Sequence, residues 1–143
     1  MPGDAVVADR GLYRHYGIYI GNDQVIHFGS EEALELNPMK ASVIMTSLKA
    51  FRGNCPFWVA KQNRYPAFPS DQVVDNAKAR LGERGYSILN NNCEHFANEC
   101  KYGIKESRQV KAFLMMAGLF FVSRGMRKHP FEAPVYAGKN GVV

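Results

Sequence analysis

The stretch Asn90-Asn91-Asn92-Cys93-Glu94-His95-Phe96-Ala97 decides how this 143-residue chain reads. A run of asparagines leads into small or apolar residues at Cys93, Phe96, Ala97 and Cys100, which is helical spacing. Asparagine side chains accept hydrogen bonds from the free N–H groups at a helix start. Gly103 stands where a left-handed closing residue strains glycine least. The pattern predicts a helix with Cys93 in its first turn. There the helix dipole favours an anion, so the thiol is expected to shift toward the thiolate, the form that attacks. On that reading Cys93 alkylates at mildly acidic pH while Cys55 and Cys100 do not.

Working outward, the segment His15-Tyr16-Gly17-Ile18-Tyr19-Ile20-Gly21 and the segment Gln24-Val25-Ile26-His27-Phe28 flank turn residues and read as a β-hairpin. A three-residue loop, 21–23, pairs Ile20 with Gln24, Gly17 with His27 and His15 with Gly29. His15 and His27 then share one face as diagonal neighbours, with room for imidazole opposite Gly17. A two-residue loop slips the register by one and sends them to opposite faces. The three-residue loop is the expectation. Residues 4–8, 42–47 and 57–61 read as further strands, with 10–14 and 30–40 as loops. Ser70 is expected to cap a helix whose stripe is Val73, Val74, Ala77 and Leu81, ended by Gly82. Residues 86–89 form a short extended lead into the Cys93 helix.

Length and composition bound the rest. The chain is long enough for one sizeable core, and 46% hydrophobic with 22% charged residues is ordinary for a globular protein. A net charge of +5 mildly favours anionic partners. Three cysteines and an N-terminus without a secretion signal imply free thiols in a reducing, cytoplasmic setting. There is no internal repeat.

Ser107 can cap a last helix over 109–124, whose apolar core, 112–122, falls short of the ~20 residues a bilayer span needs. Two readings stand for it. It is a buried core helix, or it is an interfacial anchor that sets Phe113, Leu114, Phe120, Phe121, Arg124 and Lys128 against a membrane. A homodimer contact through the same helix is a third use. Residues 129–143 read as a loose tail.

A thiol hydrolase or transferase needs a thiolate, a base that returns the proton and a group that orients the base. Cys93, His15 and His27 supply that set. Each also has a plain structural reading, as a small buried hydrophobe or a satisfied strand histidine. His95 lies on another side of the helix and reads as structural, and His129 falls in the tail. Cys55, Cys93, His95 and Cys100 fit no zinc spacing, so neither metal nor cofactor is expected. There is no Gly-rich phosphate loop and no Gly-x-Ser-x-Gly elbow. Aromatic and basic residues interleave only at Arg10-Gly11-Leu12-Tyr13-Arg14, so no nucleic-acid partner is expected.

These residues resemble a known family. Pro2-Gly3-Asp4, the run from Leu12 to Gly21, Val25-Ile26-His27 and Asn92-Cys93-Glu94-His95-Phe96-Ala97-Asn98-Glu99 look like the lecithin:retinol acyltransferase-like proteins. That family includes HRAS-like suppressor phospholipases and acyltransferases, and its H-box and Asn-Cys box also mark 2A proteins of some picornaviruses. The likeness spans about residues 2–110. It implies an α+β, permuted papain-like fold in which an antiparallel sheet packs on helices that include the Cys93 helix. It implies Cys93 as nucleophile, His15 as general base and acid, and His27 as the orienting member. Asn92 and Tyr16 are expected as oxyanion or positioning groups, with the Cys93 N–H at the helix start helping to form the hole. The reaction implied is attack on a glycerophospholipid ester, a thioester acyl-enzyme and transfer to water, an amine or an alcohol, at intracellular membranes. Two departures bring in the viral group: Tyr16 stands where cellular members usually carry tryptophan, and the last apolar helix is short. The alternative is therefore a non-catalytic 2A-type protein that binds host or viral replication proteins at membranes. Residues 1–106 are read as the catalytic-type domain, 107–128 as the apolar helix and 129–143 as the tail.

Overall fold

The computed structural model describes residues 1–30, 40–61, 65–85, 87 and 92–123, with side chains of the last helix to Gly118. The expected extended lead at 86–89, most of the loop after Ser30, and the tail fall wholly or largely outside the described residues.

Five strands form one antiparallel sheet: β1 (Ala5–Asp9), β2 (Arg14–Gly21), β3 (Gln24–Gly29), β4 (Ser42–Ser47) and β5 (Phe57–Val59), in the order β4-β3-β2-β1-β5. Period-two alternation divides the sheet into two apolar faces. One face carries Ala5, Ile18, Ile26, Phe28 and Val43. It packs under α2 (Ser70–Ala79) and α3 (Cys93–Tyr102) through Val73, Ala77, Cys93, Phe96, Ala97 and Cys100. The other face carries Val6, Ala8 and Val25 against Phe51 of α1 (Leu48–Arg52). The fold is α+β, with the cysteine helix on the sheet as expected. A fourth helix, α4 (Arg108–Ser123), follows.

The hairpin corrects one expectation and explains why its consequence survives. The turn has two residues, Asn22 and Asp23, both left-handed at φ 50° and 54°, and it pairs Gly21 with Gln24. Left-handed turns of this kind suit the right-handed twist of paired strands. Left uninterrupted, that pairing would put the two histidines on opposite faces. A bulge at Ile20 inserts one residue, so Tyr19 pairs with Val25 and Ile18 with Ile26. One step further, Gly17 lies against His27, where an added Cβ would come within 3.2 Å of the His27 Cβ.

Three other elements differ. Ser70 lies inside α2, whose start is Pro69 with no side-chain cap, because proline supplies a suitable φ at −52°. Leu81 is exposed beyond the end of α2, so it is not part of the stripe. The helix α1 was not expected. Its five residues are too few to show a period, although the Ser47 hydroxyl caps it by accepting from the Ala50 N–H at 3.1 Å.

Candidate active site

The cysteine helix starts on a reciprocal cap. Asn92 Oδ1 accepts from the Glu94 and His95 N–H groups, each at 3.0 Å, and His95 Nδ1 accepts from the Asn92 N–H at 3.2 Å. Gly103 closes the helix in the left-handed region at φ 68°. His95 is thereby structural, as expected. Asn92's oxygen serves the cap, and its amide donates to Ser107 Oγ at 3.5 Å.

The thiol sits in a fork. Tyr19 bonds back to Gly3 and Asp4 on the β1 side, so by alternation Arg14 and Tyr16 turn their backbone groups toward β3. The described β2–β3 pairing ends at Ile18 and Ile26, leaving that backbone open. Gln109, at the start of α4, takes the place of the missing strand: its Oε1 accepts from Arg14 N–H at 2.9 Å and its Nε2 donates to Arg14 O at 3.1 Å. Cys93 Sγ donates to the same carbonyl at 3.7 Å. Glu94 ties the two helix starts together, accepting on Oε2 from the Ser107 hydroxyl and the Gln109 N–H.

The imidazoles approach from the α1 face. His15 Nε2 lies 2.9 Å from His27 Nδ1, with the rings at 87°. His27 Nε2 lies 3.0 Å from Thr46 Oγ1, and His27 Nδ1 lies 3.1 Å from Phe28 O. Phe51 stacks on His15 at 5.0 Å and meets the His27 edge at 5.1 Å. Among the described residues, His15 Nδ1 has no hydrogen-bond partner. Burial, then the His27 and Arg10 charges, holds His15 well below its ordinary range. Burial takes His27 down to about 4, partly offset by the Phe28 carbonyl. Both rings are neutral at pH 7.

Cys93 departs from its expected chemistry. Its thiol is pushed up to about 11, chiefly by burial and further by Glu94. The N–H groups of Tyr16, Glu94 and Cys93 itself pull toward the thiolate, as the helix start implies, but desolvation outweighs them. Among the described residues no hydrogen bond joins Sγ to either imidazole; it is spent on Arg14 O. The thiol and both imidazoles are neutral at rest.

Tyr16, expected as a positioning group, offers its backbone N–H to Sγ, while its half-buried phenol is raised by burial and the Glu94 charge. Four contributors escaped sequence reasoning, the first being Thr46, which the sequence places only on a strand and whose hydroxyl meets His27. Phe51 belongs to the unexpected α1. Gln109 acts across 95 positions of chain and carries no local signal. Tyr13 stands edge-on to His15 at 6.2 Å and within charge range of Cys93; its place two residues before His15 is the one clue available.

The last helix is not a core helix over its described part. Phe113, Leu114, Met115 and Met116 are 58%, 45%, 71% and 68% exposed, which overturns the buried reading for these residues. Phe120 and Phe121 lie in α4 with their side chains outside the described residues, as do Arg124 and Lys128 altogether. No described helix is long and apolar enough to cross a membrane.

The family model for lecithin retinol acyltransferase matches residues 1–106. Phospholipase A and acyltransferase 3 of Homo sapiens is 28% identical over 130 residues, covering 82% of this chain and 80% of the relative. Phospholipase A and acyltransferase 2 of Homo sapiens is 31% identical over 129 residues, with the same coverage. Phospholipase A and acyltransferase 4 of Homo sapiens is 28% identical over 151 residues, covering 89% and 92%.

Proposed function

Because this chain belongs to the lecithin retinol acyltransferase family, we propose that it is a phospholipid acyl hydrolase and acyltransferase that works through a Cys93 thioester. The observation that carries this reading is the chain of contacts from Thr46 through His27 to His15, which ends in an unpartnered Nδ1 on the strand that holds the thiol.

The tautomers decide how the chain of contacts acts. When Thr46 Oγ1 accepts from His27 Nε2–H, His27 Nδ1 carries a lone pair and accepts His15 Nε2–H. His15 Nδ1 is then a base. With the proton on His27 Nδ1, directed at Phe28 O, the order reverses and His15 Nδ1 carries a proton instead. Catalysis uses the first arrangement.

Substrate entry turns Cys93 Sγ from Arg14 O toward His15 Nδ1, which takes its proton as sulfur attacks the ester carbonyl carbon. The carbonyl π electrons move to oxygen, where the Cys93 N–H at the helix start stabilises the charge. Collapse breaks the acyl C–O bond, and His15 returns the proton to the departing lysophospholipid oxygen. Water, an amine or an alcohol then attacks the thioester with His15 again as base, releasing the acyl product and restoring the thiol. The exposed apolar run at Phe113–Met116 faces outward, and in this reading it rests at the bilayer interface that supplies the substrate.

Intact mass after incubation with phosphatidylcholine vesicles tests this. The expected result is a hydroxylamine-labile acyl adduct on the wild type and none on Cys93→Ala. No adduct on the wild type overturns the enzyme reading and leaves a family fold used for binding. Resting alkylation at pH 6 does not discriminate, because the thiol is buried and protonated in either case.

A further inference from the structure

The geometry points to a phosphodiester-binding cleft on the α3 face of the sheet, formed by Arg14, Lys61 and Arg108 over Tyr16, Trp58 and Tyr102. This assignment rests on the phospholipid reading above and names how the head group of such a substrate is held.

The cleft has a volume of about 620 Å³. Its three cations enter from separate elements: β2, the segment after β5, and the first turn of α4. Among the described residues, none of the three forms an ion pair. Elsewhere basic residues of this chain do find acidic partners, as Arg80 does with Glu83 and Glu99. Arg14 lies over the Trp58 ring at 5.6 Å, which holds its planar fork in place. Glu94 is the one carboxylate among the described lining residues, and it is turned inward to Ser107 and Gln109. Three cations against one buried carboxylate leave the cleft with an excess of two positive charges. Such an arrangement suits one compact anion with several acceptor oxygens.

The position of the cleft relative to the thiol gives the anion its identity. Arg14 and Tyr16 hold Cys93 with their backbones, through Arg14 O and the Tyr16 N–H. Being two apart on β2, they project side chains to one face, and both line the cleft. On the reading above, an ester attacked by Cys93 therefore lies against the same β2 residues whose side chains line the cleft. In a glycerophospholipid, two glycerol carbons separate the central ester oxygen from the phosphate oxygen, which matches so close a pairing. Inorganic phosphate shares the charge but has no link to the ester.

Trp58 is the only tryptophan in the chain, so its fluorescence reports on the cleft independently of turnover. We would titrate the full chain with sn-glycero-3-phosphocholine and, separately, with inorganic phosphate. The expected result is a saturable change with the diester that weakens with added salt. It should also weaken about tenfold in Arg108→Gln and in Lys61→Gln, as loss of a charge-assisted hydrogen bond implies. Both residues are exposed, and circular dichroism would verify their folds. No response to the diester, with Cys93 still acylated by vesicles, overturns the cleft and leaves the enzyme reading standing. A response to the diester without any acylation supports the cleft and overturns the enzyme reading. Tighter binding of inorganic phosphate than of the diester overturns the head-group assignment in favour of free phosphate.

Discussion

His15 Nε2 and His27 Nδ1 meet at 2.9 Å because a bulge at Ile20 undoes the register shift of a two-residue turn. The two imidazoles pack against Phe51 on one face, whereas the Cys93 helix packs on the other. In the function proposed above, the fork between β2 and β3 is where the thiol and His15 meet. This arrangement yields four expectations.

Thr46 is a positioning residue for His27, through the 3.0 Å contact to Nε2. Thr46→Val keeps the shape and removes the hydroxyl. The expected loss in kcat is about threefold to tenfold, the worth of one net hydrogen bond, with KM little changed. Thr46→Ser should restore activity. Imidazole ¹⁵N shifts should report a changed His27 tautomer in the valine variant alone; an unchanged tautomer would remove Thr46 from the site.

Acid should destabilise the fold through the buried histidines. His27 is held at about 4 against an ordinary 6.5, so between these values the unfolded chain binds a proton that the folded chain refuses. The stabilisation is present above pH 6.5 and lost as pH falls toward 4, amounting to about 3 kcal/mol for this group. His15 adds in the same direction. Urea unfolding from pH 7 to pH 4 measures it, and His27→Gln should flatten the slope.

Thiol labelling should follow exposure rather than helix position. Burial pushes Cys93 up to about 11 and Cys100 to about 12, while half-buried Cys55 lies 3.7 Å from the Arg10 guanidinium. Iodoacetamide at pH 7 should modify Cys55 first, with Cys93 and Cys100 slower by at least about tenfold. Peptide mass mapping against time checks the order. Fast labelling of Cys93 would restore the thiolate expectation.

Gln109 should brace the fork. Gln109→Leu removes both side-chain bonds to the Arg14 backbone, at a cost of about 1 kcal/mol because water replaces them. Hydrogen exchange at the Arg14 amide should quicken about fivefold, and kcat should fall as the carbonyl beside Cys93 loosens. Unchanged exchange would show that the fork holds without α4.

By itself the sequence determined the local frame. Asn92 and Gly103 mark the ends of the cysteine helix because caps act within three or four residues. The alternation in β2 and β3 placed His15 and His27 on strands, and the family resemblance supplied their grouping with Cys93. The tertiary structure decided what those residues experience. The bulge at Ile20 depends on which side chains fit the core, and a one-residue slip leaves no trace in composition. Phe51 and Gln109 reach the site from segments far along the chain, so no periodicity announces them. The thiol shows the division most plainly. A helix start is a local property and draws Cys93 toward the thiolate, but desolvation is set by everything packed around it, and in the folded molecule desolvation is the larger effect.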